Sequence, residues 1–172
     1  MSESDRAEGK KKKEAFGSFG PIEKHFDQYV DALHRSGRGK DIRSLMAILT
    51  PHWEHASGYS KLGNGAFKCE QLDLAKQFFL KYREGCVNYE RGEEMGLLAE
   101  MWCRDGNLEA ARDLLFDCLH RLVAESKTAS GSDKTLFEKW FQNQRGTFLK
   151  LFPGEEALLA TQAIPSSTLR RG

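Results

Sequence analysis

Residues 59–83, YSKLGNGAFKCEQLDLAKQFFLKYR, and residues 95–119, MGLLAEMWCRDGNLEAARDLLFDCL, decide the fold. Set 36 positions apart (95 against 59), they agree in residue type. Tyr59 falls on Met95, Leu62 on Leu98, Gly63 on Ala99, Leu72 on Leu108, Asp73 on Glu109, Ala75 on Ala111 and Phe79 on Leu115. A shared offset over that many positions is an internal repeat. Each unit has a bulky residue, then Leu followed by a small residue, then a turn, then a second helix with Ala four places before a large apolar side chain. Small residues let two helix backbones approach closely, and large ones fill the groove beside them. Each unit therefore reads as a helical hairpin.

This order of residue types resembles the tetratricopeptide repeat, whose signature runs large, Leu-Gly, Tyr, then Ala, Phe, Ala and Pro over about 34 residues. In the second unit Asp105-Gly106-Asn107-Leu108-Glu109-Ala110-Ala111 resembles the family's interhelical turn and second helix, with Gly106 free to take a left-handed conformation. In the first unit Cys69-Glu70-Gln71 replaces the glycine turn and Ala66 fills the tyrosine slot. Tyr82 and Cys118 occupy the late alanine slot, the closing proline is missing, and the longer step implies an extended connection around Gly85 to Gly92. The resemblance implies an all-α fold: a short right-handed superhelix of stacked antiparallel helix pairs with a C-terminal capping helix.

Working outward, Ile22, Phe26, Tyr29, Val30 and Leu33 recur at helical spacing after Pro21, and Ile42, Leu45, Met46, Ile48 and Leu49 follow Asp41, a candidate N-cap. This hairpin over 21–50 fits the same frame with Val30 and Ile42 in the small slots, as either a degenerate repeat or an unrelated packing hairpin. The other hairpins are expected near 57–87 and 93–125. After the polar loop Ser126 to Ser132, Leu136, Phe137, Trp140, Phe141, Phe148 and Leu151 mark one stripe of a helix near 133–151, with Thr135 and Glu138 spaced as a capping box. Apolar inside and polar outside, it suits the uncovered end of a helical stack. The helical-repeat domain is thus expected over 21–152. Residues 1–20, with Lys10 to Lys13, read as a disordered basic arm, and 153–172 as a mostly flexible tail with a short helix near Glu155 to Gln162.

The chain has 172 residues, enough for one domain with a real core, and 26 Lys plus Arg against 25 Asp plus Glu leave a formal charge of +1. Such a balance gives no global attraction to nucleic acid or to a membrane surface. No apolar run approaches the ~20 residues that span a bilayer. Cys69, Cys86, Cys103 and Cys118 form no C-x-x-C pair and read as free thiols of a cytoplasmic protein. His52-Trp53-Glu54-His55 lacks the H-E-x-x-H spacing and a third ligand, so a structural role is expected and no metal or other cofactor is implied. No nucleophile motif and no phosphate loop frames the serines, histidines or the Gly63-Asn64-Gly65 run, so the expectation is a protein that is not an enzyme.

In tetratricopeptide proteins the ligand lies in the concave groove lined by the first helix of each pair. Carried to this sequence, the first unit presents Ser57, Ser60, Lys61, Asn64 and Lys68, and the second Glu93, Gly96, Leu97, Glu100, Cys103 and Arg104. The groove candidates are Ser60, Lys61, Asn64, Lys68, Leu97, Glu100 and Arg104. Only Asn64 falls on a carboxylate-clamp position of the chaperone-binding subfamily, which favours a mixed polar and apolar contact. The resemblance thus implies a non-catalytic adaptor or scaffold for a peptide or protein partner. An uncovered hairpin face could equally pair two copies as a homodimer. The runner-up is a helical-repeat RNA binder, because residues 101–111 also resemble a pentatricopeptide unit, a family that reads one base per repeat.

Overall fold

A computed structural model of the chain describes residues 20–162 and Ile164. Among these residues there is no strand, and eight α-helices pack against one another. They are α1 (Gly20–Arg35), α2 (Ile42–Leu49), α3 (Ala56–Lys68), α4 (Leu72–Gly85), α5 (Glu94–Arg104), α6 (Leu108–Ser126), α7 (Ser132–Leu151) and α8 (Glu156–Thr161). Single 3-10 turns stand at Gly39–Asp41, Thr50–His52 and Tyr89–Arg91. The basic arm expected over 1–20 lies, apart from Gly20, outside the described residues, as does the tail beyond Ile164.

Three interhelical turns are built alike. After α3, the N–H groups of Cys69, Glu70 and Gln71 donate to the carbonyls of Gly65, Phe67 and Ala66 at 3.1, 3.0 and 2.9 Å. After α5, Asp105, Gly106 and Asn107 donate to Met101, Cys103 and Trp102 at 3.0, 3.1 and 2.8 Å. After α1, Ser36, Gly37 and Arg38 donate to Ala32, His34 and Leu33 at 3.0, 3.2 and 2.9 Å. Each set satisfies the carbonyls that a helix leaves open at its C-terminus, and each needs one left-handed residue. Gly37 and Gly106 supply it at φ +70° and +81°, and Glu70 supplies it at φ +59° without a glycine's freedom, at a cost of about 1 kcal/mol. The turn at Glu70 thus has the same shape as the two glycine turns.

Packing follows the size of the residues at the crossings. Gly63 lies against the Phe79 ring, where an added Cβ would stand 2.6 Å from Cε1, and Ala75, Ala99 and Ala111 are fully buried. The α3/α4 and α5/α6 hairpins are closely packed, whereas α1 and α2, with Val30 and Ile42 in the small slots, hardly approach at the backbone. Each instead packs on α3, with Trp53 filling the space beneath them edge-on to Phe26 at 5.2 Å. The first helix of each hairpin touches the next in sequence: α1 meets α3, α3 meets α5 and α5 meets α7. One apolar cluster runs through the described residues from Phe26 to Ile164.

Some local expectations need correcting. α7 begins at Ser132 with Gly131 as its N-cap, so Thr135 and Glu138 lie within the helix and form no capping box. Asp41 stands at the N-cap of α2, but its carboxylate accepts from Arg38 Nε at 2.7 Å instead of capping the helix. His55 caps α3, its Nδ1 accepting from Gly58 N–H at 3.1 Å. α8 stands where the short helix near Glu155 to Gln162 was expected, and Leu159 within it and Ile164 beyond it are buried. Glu155 holds that stretch to α6 through a two-bond pair with Arg112, Nε to Oε2 at 2.8 Å and Nη2 to Oε1 at 2.7 Å.

Candidate partner-binding face

Helices α3 and α5 lie side by side, and a helical step of three or four residues puts Ser60, Asn64 and Lys68 along one side of α3 and Leu97, Glu100 and Arg104 along one side of α5. The two sides are joined where Ser60 Oγ donates to Glu94 Oε1 at 2.5 Å. Asn64 Nδ2 turns back to the Ser60 carbonyl at 2.8 Å, so its amide is bound within its own helix. The cations are likewise engaged. Lys68 pairs with Asp31 of α1, and Lys61 Nζ stands 3.9 Å from Asp27 Oδ2 of the same helix. Arg104 Nη2 donates to Glu100 Oε1 at 2.6 Å while its guanidinium lies 5.7 Å above the Phe67 ring. The Lys68 ammonium holds the Asp31 carboxyl below its ordinary range. These exposed pairs stabilise little individually, but they fix the charge pattern of the face as neutral by pairing.

The seven residues are not all drawn to one cleft. Leu97 and Glu100 are drawn to a cleft between α5 and α7, about 310 Å³ in volume, whose other walls include Gly96, Gln144, Thr147 and Lys150. Gly96 opens this cleft, because a Cβ there would reach to 3.2 Å from Thr147 Cγ2. Lys61 and Lys68 turn to α1 instead, Ser60 and Asn64 are bonded at the α3/α5 seam, and Arg104 lies at the far end of α5 over Phe67.

Missing from the sequence reading is the electrostatic centre behind the cleft. In the 3-10 turn Tyr89–Arg91, Glu90 is 0 % exposed and accepts from Arg121 Nε of α6 at 3.1 Å. Tyr89 Oη donates to Asp117 Oδ2 at 2.5 Å with the Arg121 guanidinium 4.6 Å above its ring. Arg91 reaches Glu125 at 3.2 Å and lies over both Phe137 and Trp140 of α7 at 5.1 and 5.0 Å. Burial, then the hydrogen bond shared with Glu90, pushes the Glu125 carboxyl above its ordinary range. Gln144 Nε2 donates to the carbonyls of Glu90 and Gly92 at 2.8 and 3.1 Å, tying α7 to this connection. Only the length of the loop signalled that it does more than connect.

A second cleft of about 260 Å³ opens between α6 and α7 beside Leu122, Val123, Phe137 and Phe141. All four cysteines are unpaired, and burial pushes the Cys118 thiol up to about 12. Among the described residues, no group of three or more His, Cys, Asp and Glu is placed to hold a metal ion, and no helix is long and apolar enough to cross a membrane. No family model, curated protein or solved structure matches the chain.

Proposed function

We propose that this protein is a non-catalytic adaptor of the cytoplasm, binding a peptide or protein partner on the face built by α3, α5 and α7. In this reading the three hairpins and α7 form a short tetratricopeptide-like superhelix. The shared turn geometry at Gly37, Glu70 and Gly106 supports successive copies of one unit, and the sequential contacts of α1, α3, α5 and α7 support a row of first helices. The observation that carries the functional reading is the α5/α7 cleft. It combines Leu97 with the polar Glu100, Gln144 and Lys150, the mix that small-ligand and peptide-anchor sites use for burial and orientation. The RNA-binding alternative has less behind it, because Lys61, Lys68 and Arg104 already face carboxylates and offer phosphate little unbalanced charge.

A site-resolved cross-linking experiment tests the proposal. A photoreactive side chain at Asn64 or Leu97 of the full chain, expressed in its own cell type, should capture a discrete partner. The same group at Gln77 or Asp113, on the second helices, should not. Capture only from Gln77 or Asp113 would refute the choice of face.

A further inference from the structure

We infer that the α5/α7 cleft receives a lysine or arginine side chain of the bound partner, an inference that rests on the adaptor reading above. Arg91 Nε is a buried donor without a hydrogen-bond partner, but several of the lining's other polar atoms are acceptors with no partner or only a loose one. Gln144 is 3 % exposed, and its amide nitrogen is committed to the Glu90 and Gly92 carbonyls, which also fixes which end of the amide is which. Its Oε1 accepts from no described group and is the polar atom the side chain has left for the cleft. Glu93, at the mouth, is exposed and has no ion-pair partner among the described residues. Glu100 gives its Oε1 to Arg104 at 2.6 Å, and its Oε2 has only the loose approach of Lys150 Nζ at 3.8 Å.

The donors around the cleft are weaker claimants on a ligand. Arg91 is turned to Glu125 and held over Phe137 and Trp140. Lys150 is the one lining cation left, and its side chain is mostly exposed, so it can swing away from Glu100. A ligand that suits these walls carries several N–H donors at the end of an apolar stem. The stem lies on Leu97 and Leu151, and the head meets Glu100, Glu93 and Gln144 Oε1. Lys and Arg side chains have that form, burying their methylenes while the charged head finds oxygens. Gly96 leaves the room, since a side chain there would abut Thr147.

The two cleft charges give the inference opposite-signed tests. Linear dodecapeptides displayed on phage are selected against the immobilised full chain, and the enriched peptides are synthesised with a fluorophore. The expected result is that one Lys or Arg in them is required, norleucine or citrulline there lowering affinity about tenfold or more, as loss of a buried charged contact does. Glu93→Gln should weaken binding about two- to fivefold, and Lys150→Gln should strengthen it by a similar factor, the size of an exposed ion pair. Both positions are exposed, and unchanged melting of each variant shows that binding alone has been altered. Reversed signs, with an acidic residue required, would overturn the inference, as would peptides cross-linked through Leu97 or Asn64 that tolerate norleucine and citrulline; that last result leaves the adaptor face standing. If no peptide is enriched, or every one binds independently of Asn64, Leu97 and Glu93, both readings fall.

Discussion

Replacing Gly63 by alanine sets two effects of known size against each other. Gly63 lies inside α3, and in an open helix the change to Ala stabilises by about 0.8–1.0 kcal/mol through backbone entropy alone. Here the new Cβ would meet Phe79 Cε1 and Cδ1 at 2.6 and 2.7 Å, and the ring is fully buried and hemmed in. Forcing a methyl into such a contact costs about 1–3 kcal/mol. The net expectation for Gly63→Ala is a loss of about 0–2 kcal/mol. Gly146, within α7, is exposed with nothing near its Cα face, so Gly146→Ala should gain about 0.5–1 kcal/mol. The two variants should therefore differ by about 0.5–3 kcal/mol, or several degrees in Tm at the upper end for a chain of this size. Urea unfolding followed by circular dichroism measures it. A further variant sharpens the result: Gly63→Ala with Phe79→Leu installs the pair that stands 36 residues on, Ala99 and Leu115. Contacting residues couple by about 0.5–3 kcal/mol, so the double variant should be more stable than the sum of its parts. If Gly63→Ala proves as stabilising as Gly146→Ala, the close approach of α3 and α4 is not the constraint described here.

Ala111→Leu should cost about 1–3 kcal/mol, because Ala111 is fully buried in the α5/α6 hairpin; an unchanged thermal midpoint would count against that packing. The Arg112 pair depresses the Glu155 carboxyl, so its stabilisation is present above the ordinary range of a free glutamate and is lost as pH falls through the lower folded value. Glu125 runs the other way: its raised folded pKa means that stability declines as pH climbs from the ordinary value through the folded one. Glu125→Gln should flatten the urea midpoint over that rise and Glu155→Gln should flatten the acid limb; identical pH profiles for the variants and the parent would contradict both pairings. Filter retention of a generic single-stranded RNA should be negligible even at low salt, whereas retention with a steep salt dependence would promote the RNA-binding reading.

How much of this was legible beforehand varies with the kind of interaction. Helix positions follow from apolar spacing, and the close crossings follow from Gly63, Ala75, Ala99 and Ala111, because a small residue at a repeated offset has few other uses. The middle turn was harder to read, since Glu70 carries no local mark of a left-handed backbone; only the bonds made by its neighbours reveal it. Of the groove candidates, their place on α3 and α5 was readable from the repeat. Their partners were not, because Asp27, Asp31 and Lys150 lie on other helices and ion pairing across helices leaves no periodic trace in sequence. Glu90 was missed for a related reason: a charged residue is expected outside unless paired, and Arg121 is far along the chain.

The long connection between α4 and α5 and the cleft have a common physical origin. A connection only long enough to reverse the chain would carry α4 directly into α5. Here the residues after Gly85 instead fold a 3-10 turn that sinks Glu90 between α6 and α7. Removing Arg121 from beside this fully buried carboxylate would leave it only the looser approach of Arg91 Nε at 3.8 Å, a loss of up to about 3–5 kcal/mol where one partner of a buried pair is taken away. The turn is therefore held firmly, and Gln144 is held with it through the two carbonyls it binds. The same bonds keep α7 on the connection, and α7 packs in turn on α5, so that Gly96, Leu97 and Glu100 look onto a wall rather than open water. A groove formed by two first helices alone would be shallow and open-ended. The buried glutamate, by fixing the position of α7, turns that side of α5 into one wall of a cleft of definite volume with a mixed polar and apolar lining.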